Sequence, residues 1–263
     1  MNIHFIHDLW FYKSLVCSRF LKALGILFTI DKFLECFDCF SWLQIHDFYF
    51  GLAICTISLL WGIWILIKAK QKVTLKINNR TKLSIFYGDL FKERHIRVIP
   101  VNEYFDTHLD DGIIAPNTVH GQFLKRYITR IPELRRKIDA QLQHLRQLPN
   151  TRQRNMVAGL PQNPYPLGTT IRIEMDGQYY LLVAVTRFNQ VEHVDVADSE
   201  YMGIMQRLFY HIEQLNDGKS VSLPLIGSGQ AGFGYTNMQL LNLIVQAASL
   251  SDRLAVIHGI NVV

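Results

Sequence analysis

Val221 to Tyr235 reads VSLPLIGSGQAGFGY, and the reading of this stretch decides the fold. Val221–Ile226 is a short apolar run with β-branched residues ahead of a glycine, the pattern of a buried strand. Gly227-Ser228-Gly229-Gln230-Ala231-Gly232-Phe233-Gly234 follows at once, with four glycines in eight residues. Such a loop can take positive φ and lets a ligand approach the backbone closely. Asn237–Ser249 (NMQLLNLIVQAAS) then places apolar residues at helical spacing. Strand, glycine loop and helix is the arrangement in which α/β proteins hold phosphate, with loop N–H groups and the positive helix end facing the anion. A bare turn requires only one or two glycines, so the loop predicts a phosphate or diphosphate site.

Gly227, Gly229 and Gly232 also satisfy G-x-G-x-x-G. A Rossmann site further needs an acidic residue about 20 residues on, at the end of the next strand. That strand is expected at Leu254–Ile260, and Asn261-Val262-Val263 after it supply no Asp or Glu. No lysine follows the glycines, so the loop is not the G-x-x-x-x-G-K-[ST] phosphate loop either.

Working outward, the mean hydropathy of +0.10 is high for a soluble chain, and the apolar excess lies at the front. Phe48–Ile67 (FYFGLAICTISLLWGIWILI) holds twenty residues without a charge. At 1.5 Å per residue it covers about the 30 Å hydrocarbon core. Trp61 and Trp64 stand near its end and Lys68, Lys70 and Lys72 follow, as interfacial anchors do. Ser14–Ile30 is apolar apart from Arg19 and Lys22, whose long side chains can snorkel. A first span at about 12–32, paired with a second at 48–67, is therefore expected as a hairpin. An amphipathic helix lying on the surface is the alternative for the first. Basic residues flank the pair on the outside and Asp31, Glu35, Asp38 and Asp47 lie between, so both termini are expected in the cytoplasm. The net charge of +5 partly reflects those flanks, and no basic run interleaved with aromatics follows, so no nucleic-acid partner is expected. All four cysteines fall in the first 71 residues, and Cys36-x-x-Cys39 has no second pair to complete a zinc site. The ten histidines make no H-E-x-x-H, and no metal is expected.

From about residue 72 the pattern alternates. Lys72–Ile77, Leu83–Tyr87 and Ile96–Val101 read as strands. Asn117 or Thr118 can cap a helix reaching about Thr129, and Ile131-Pro132-Glu133 opens another reaching about Leu148. Asn150–Pro166 is a polar, proline-bearing loop. Thr169–Glu174 and Tyr179–Thr186 form a hairpin around Asp176-Gly177. Ser199–Leu215 is a helix whose stripe of Tyr201, Met205, Leu208, Phe209 and Ile212 belongs in the core.

These residues reach a family resemblance. Gly88-Asp89-Leu90 at a strand end, Asn102 after the next strand, and the late PLIGSG-x-x-G-F loop resemble a macro domain, a fold that binds ADP-ribose. More narrowly, VNEYFDT (Val101–Thr107), NTVHGQF (Asn117–Phe123), YPLGTTIRI (Tyr165–Ile173), LLVAVTRFN (Leu181–Asn189) and LPLIGSGQAGFG (Leu223–Gly234) resemble the macro-like domain of the ThsA effectors of bacterial Thoeris antiphage defence. One branch of that family carries a pair of transmembrane helices ahead of the domain. The fold class implied is α/β: a macro-like mixed sheet flanked by helices over 72–263, preceded by an N-terminal transmembrane helical hairpin in 1–71.

The resemblance further implies a partner with a TIR domain that converts NAD into an ADP-ribose derivative, histidine–ADP-ribose foremost. Binding of this signal would drive homo-oligomerisation and disruption of the bacterial inner membrane, ending in abortive infection, with the macro-like domain cytoplasmic. Residue by residue, Asp89 would accept from the adenine amino group and the N–H of Leu90 would meet the ring. Asn102 would lie near the distal ribose. Thr118, Val119 and His120 would face the phosphates from a helix start. Gly227, Ser228, Gly229, Gln230, Ala231 and Gly232 would form the second phosphate loop, and Phe233 would stand beside the distal ribose. Each has a plainer alternative: Asp89 as a turn residue, Asn102 as a strand-end cap, His120 as a helix-surface histidine. Hydrolytic macro domains carry an Asn-Ala-Ala-Asn-like run and a glycine-rich first loop. Here the region reads Asn102-Glu103-Tyr104-Phe105-Asp106, with only Asp110-Asp111-Gly112 resembling that loop. No catalytic residue is therefore assigned, although Asp110 or Asp111 suits a general base. A membrane-anchored ADP-ribosyl hydrolase and an anchored ADP-ribose reader stay open as alternatives.

Overall fold

The computed structural model describes residues 13–35, 47–69, 72–109, 114–145, 147–148, 163–188, 194, 196–229 and 233–263. Asp110-Asp111-Gly112, Gln230-Ala231-Gly232 and the Cys36/Cys39 pair lie outside the described residues. The chain divides into two units, residues 1–71 and 72–263.

The first unit holds helices α1 (Lys13–Glu35) and α2 (Asp47–Ala69), each of 23 residues, which pack against one another. Ile54, Ser58, Gly62 and Ile63 are the covered positions among the described side chains of α2. Ser58 and Gly62, small and four residues apart, let helix backbones approach closely. Leu52, Ile57, Leu59, Leu60, Trp61 and Trp64 stay exposed. Thr29 and Thr56 donate their hydroxyls to the carbonyls of Gly25 and Leu52, four residues back, which satisfies these groups inside the helix. The two segments expected as spans are thus helices. Among the described residues no helix is long and apolar enough to cross a membrane. Side chains of α2 are described for 51–64, about 21 Å of helix.

The second unit is a seven-stranded mixed sheet in the order β1-β2-β7-β6-β3-β5-β4. Its strands are β1 (Val73–Lys76), β2 (Lys82–Ile85), β3 (Ile96–Asn102), β4 (Thr170–Met175), β5 (Gln178–Thr186), β6 (Val221–Leu223) and β7 (Ile260–Val262). The five inner strands are mutually parallel, and the edge strands β1 and β4 pair antiparallel with β2 and β5. The helices are α3 (Val119–Arg126), α4 (Ile131–Leu142), α5 (Tyr201–Leu215) and α6 (Asn237–Ser249).

Two-residue alternation explains the layers. Ile96, Val98, Leu181 and Val183 face α5 and α6 in one core, while Ile99, Val101, Leu182 and Ala184 face α3 and α4 in the other. The second layer is apolar only across β3, β5 and β4. Across β2, β7 and β6 the same sheet face carries Ser84, Asn261 and Ser222. The Glu93 carboxylate accepts there from Asn261 (3.2 Å) and Ser222 (3.4 Å).

Several boundaries differ from the expectation. The last strand is Ile260–Val262, not Leu254–Ile260. Leu254 and Val256 are buried, which produced the strand-like pattern, but they sit in irregular backbone between two turns. The Leu254 carbonyl accepts from Asn78 and Thr81, and Gly259 at φ +81° turns the chain into β7. β6 stops at Leu223, ahead of Pro224, which has no N–H to offer a ladder. The second helix ends at Leu142, short of Leu148, and α3 gives way to a 3₁₀ turn at Ile128–Arg130.

Candidate functional site

Because β2, β7, β6, β3 and β5 are parallel, the segments that follow β2, β3, β5 and β6 all emerge at one end of the sheet. Crevices outside the carboxyl ends of parallel strands are where open α/β sheets bind ligands. Asp89, Asn102 and Gly227, far apart in sequence, are brought to this one end.

Asp89 follows β2 and caps the 3₁₀ turn Leu90–Lys92, its Oδ1 accepting from the Phe91 N–H at 2.9 Å. Leu90 and Phe91 are buried and hold the turn in place, while Asp89 itself is exposed. The carboxylate is thus a turn residue, with its second oxygen as further acceptor capacity. Gly88 packs closely beside it: a Cβ there would lie 3.0 Å from Val263 Cγ1 and 3.1 Å from the Phe86 ring, so those side chains would have to shift by a few tenths of an ångström.

Asn102 ends β3 and is 2% exposed. Its Oδ1 accepts from the N–H groups of Tyr104 and Asp106, both at 3.2 Å, and its Nδ2 donates to Asp106 Oδ2 at 2.9 Å. The side chain is therefore engaged in shaping the 102–106 turn, in which Phe105 holds φ +52° with its ring buried against Tyr165.

Thr118 is the N-cap of α3. Its hydroxyl donates to the Ala115 carbonyl (2.8 Å) and accepts from the Gly121 N–H (3.0 Å). His120, in the first turn, is buried rather than on the helix surface. Desolvation pushes its pKa from 6.5 down to about 4, against the opposing pull of the Asp106 charge and a bond to the Asp106 backbone. The ring is neutral at pH 7 and adds no charge to the site. Its folded pKa is below its unfolded one, so the unfolded chain binds the extra proton between the two values, and stability falls as pH drops from about 6.5 towards 4. Urea unfolding at pH 7 and pH 5 should differ by about 2 kcal/mol from this group. His120→Gln should flatten that slope, and an unchanged slope would refute the assignment.

The glycine loop is braced at both ends. Gly227 has φ +93°, and a Cβ there would lie 2.9 Å from Leu240 Cδ2 and 3.1 Å from Tyr201 Cε2. The Tyr201 hydroxyl donates to the Ile226 carbonyl at 2.7 Å, and burial pushes the phenol pKa up, keeping it a donor. Phe233 packs edge-on to Tyr201 with ring centroids 4.9 Å apart. At the far end the Gly234 N–H donates to Asp198 Oδ1 at 2.9 Å. Thr236 and Gln239 then form a reciprocal capping box at the start of α6. Gly229, between these braces, has nothing among the described residues within 4 Å of the position a Cβ would take.

The sequence did not single out Asp106, Gly121, Asp198 or the pair Glu103 and Arg187. Glu103 is 3% exposed; its Oε1 accepts from the Phe188 N–H at 3.1 Å. Arg187 lies 4.0 Å from Glu103 and forks onto Glu200, at 2.7 and 3.1 Å. These contacts tie the ends of β3 and β5 to the start of α5, and no local pattern announces a pairing such as that of Glu103 with Phe188, 85 residues apart. Tyr201 was legible as core, but its hydroxyl bond was not.

Among the described residues no group of three or more His, Cys, Asp or Glu side chains is placed to hold a metal. A polar cleft of about 470 Å³ lined by Asn78, Arg80, Glu213 and Asp252 lies at the opposite end of the sheet, away from the glycine loop.

A mixed sheet whose parallel strands open onto a capped helix start and a braced glycine loop defines a macro-like α/β domain. Residues 83–263 match the family described as Thoeris protein ThsA, Macro domain. The chain is 31% identical over 235 residues to the Thoeris protein ThsA of Bacillus amyloliquefaciens (strain Y2), covering 84% of this chain and 75% of that protein. It belongs to the Thoeris ThsA family. Among solved structures, a macrodomain variant of Oceanobacillus iheyensis with ADPR aligns at 15% identity and TM-score 0.48, covering 73% of this chain and 89% of that one. The macrodomain of Mycobacterium tuberculosis DarG aligns at 14% identity and TM-score 0.43, covering 69% and 97%.

Proposed function

We propose that this chain is the membrane effector of a Thoeris antiphage system. Its macro-like unit binds an ADP-ribose-derived signal, histidine–ADP-ribose foremost, made by a TIR-domain protein. Binding drives homo-oligomerisation, and the helices of the first unit then disrupt the inner membrane, ending in abortive infection, with the macro-like unit cytoplasmic. The observation that carries the binding half is the convergence of Asp89, the α3 start and the glycine loop at the carboxyl end of the parallel strands. A carboxylate suits an exocyclic amine, and helix-start and loop N–H groups suit a diphosphate. The membrane half rests on the sequence, in which Phe48–Ile67 runs twenty residues without a charge, and on the apolar side chains that α2 leaves exposed. The effector is a sensor rather than an enzyme, since a signal that persists holds the assembled state. Switching that assembly from 1:99 to 99:1 requires the ligand to favour it by roughly 5.5 kcal/mol.

The test is calorimetric titration of residues 72–263 with ADP-ribose, histidine–ADP-ribose and NAD, with each ligand recovered afterwards. Binding of an intact conjugate, weakened about ten- to a hundredfold by Asp89→Ala through loss of one charge-assisted hydrogen bond, is expected. Cleaved ligand would make the chain a hydrolase instead, and no binding would remove the nucleotide reading. Extraction of the full chain from membranes at alkaline pH tests the membrane half: an integral protein stays in the pellet.

A further inference from the structure

We propose that Asp198 is a positioning residue for the glycine loop: its carboxylate fixes the far end of the loop in the shape that receives the ligand's diphosphate. This rests on the reading of that loop as the diphosphate site.

The stretch from Gly227 to Gly234 carries four glycines, so many backbone conformations are open to it before it is held. Conformations lost on binding are subtracted from affinity, and a loop ordered beforehand binds more tightly. At the near end packing does the ordering, where Gly227 lies against Leu240 and Tyr201. At the far end Asp198 does it. Its Oδ1 accepts from the Gly234 N–H at 2.9 Å, and a Cβ on Gly234 would lie 3.0 Å from its Oδ2. Both carboxylate oxygens thus lie against Gly234. The Asp198 carbonyl also accepts from the Tyr235 hydroxyl at 3.2 Å.

The carboxylate is carried on a fixed support. Asp198 opens the 3₁₀ turn Asp198–Glu200, which runs straight into α5, where Tyr201, Ile204, Met205 and Leu208 are fully buried. Glu200 of the same turn is gripped by Arg187 at 2.7 and 3.1 Å, and the Tyr201 hydroxyl holds the Ile226 carbonyl ahead of the loop. The four residues from Asp198 to Tyr201 therefore hold both ends of the glycine loop and join it to the end of β5.

Two plainer readings account for Asp198 less well. An acid in the first turn of a helix can cap that helix. Among the described residues, however, the Asp198 side chain accepts from Gly234, 36 positions away, and from no N–H of its own turn. A solubilising surface charge is the other reading. An exposed carboxylate beside a diphosphate repels it, so that purpose is better served at any other surface position. Positioning and charge thus act on affinity in opposite directions, and their signs separate them.

The test is calorimetric titration with ADP-ribose of residues 72–263, which contain all seven strands and both apolar layers. Each variant is titrated well below its unfolding midpoint, so that lost affinity is not lost fold. Asp198→Ala removes the bond and the charge together. It should weaken binding about tenfold, the worth of one charge-assisted hydrogen bond at an exposed site, whereas loss of the negative charge alone would strengthen it. Asp198→Asn keeps an oxygen acceptor for the Gly234 N–H without the charge, and should bind no more weakly than the parent. Asp198→Ala binding as tightly as the parent, or more tightly, would overturn the proposal, and so would Asp198→Asn falling together with Asp198→Ala. A parent that binds no ADP-ribose fails the nucleotide reading itself, while a parent that binds alongside an undiminished Asp198→Ala fails this inference alone.

Discussion

Gly121→Ala is expected to destabilise the macro-like unit by about 3 kcal/mol or more and to abolish nucleotide binding with it. A Cβ at this position would lie 2.2 Å from the Ala115 carbonyl oxygen and 2.9 Å from Pro116 Cα. Both atoms are backbone, so no side-chain rotamer can relieve the overlap. The carbonyl is also the acceptor of the Thr118 hydroxyl and of the Thr118 N–H. Moving it loosens the cap of α3, and with it the N–H groups of Val119 and His120 that the diphosphate is proposed to meet. Urea unfolding of residues 72–263 measures the loss. If the variant is too unstable to purify, Gly121→Ser in a co-expression assay reads the same contact as loss of soluble protein. A Gly121→Ala variant with the parent's midpoint and affinity would show that the helix start is not packed as described.

Gly229→Glu should do the reverse: leave the fold intact and remove binding. Among the described residues no atom lies within 4 Å of a Cβ there, so the substitution meets no steric cost from them. The loop stays braced through Gly227 and Tyr201 on one side and Asp198 on the other. A carboxylate facing a diphosphate costs several kcal/mol, and about 3 kcal/mol corresponds to more than a hundredfold in affinity. Calorimetric titration should show that loss while the thermal midpoint moves by no more than a degree or two. Gly229→Ala, neutral and small, should bind within a few fold of the parent. Undiminished binding by Gly229→Glu would place the phosphates elsewhere. The two glycines thus separate scaffold from ligand: one is required by a backbone neighbour, the other by what the crevice is proposed to hold.

Much of the architecture was legible in the sequence because the signals are local. Asn237–Ser249 carries helical periodicity with a Thr-x-x-Gln box ahead of it, and that helix was expected at the limits observed. Asp176-Gly177 marks the β4–β5 turn, where both residues hold positive φ. The misplaced last strand shows the limit. Leu254 and Val256 are as buried as strand residues, but their backbones are turned by bonds to Asn78 and Thr81, about 175 positions away. A pattern of burial says that a residue is inside without saying which partner holds its backbone.

For the site, the sequence by itself determined the chemistry on offer: a glycine loop ahead of a helix, an Asp-Leu pair after a strand, a helix start with Asn117 or Thr118 to cap it, and a charge-free segment of twenty residues near the front. Tertiary structure alone decided how that chemistry is placed. Parallel pairing of β2, β7, β6 and β3 brings Asp89, Asn102 and Gly227 to one end of the sheet. Burial turns His120 into a neutral ring, and the Asn102 amide closes a turn around Asp106. The physical reason is the range of the forces involved. Propensity, capping and turn geometry act within a few residues and are written in sequence order. Strand pairing, desolvation and long-range hydrogen bonds depend on which neighbours the completed fold supplies.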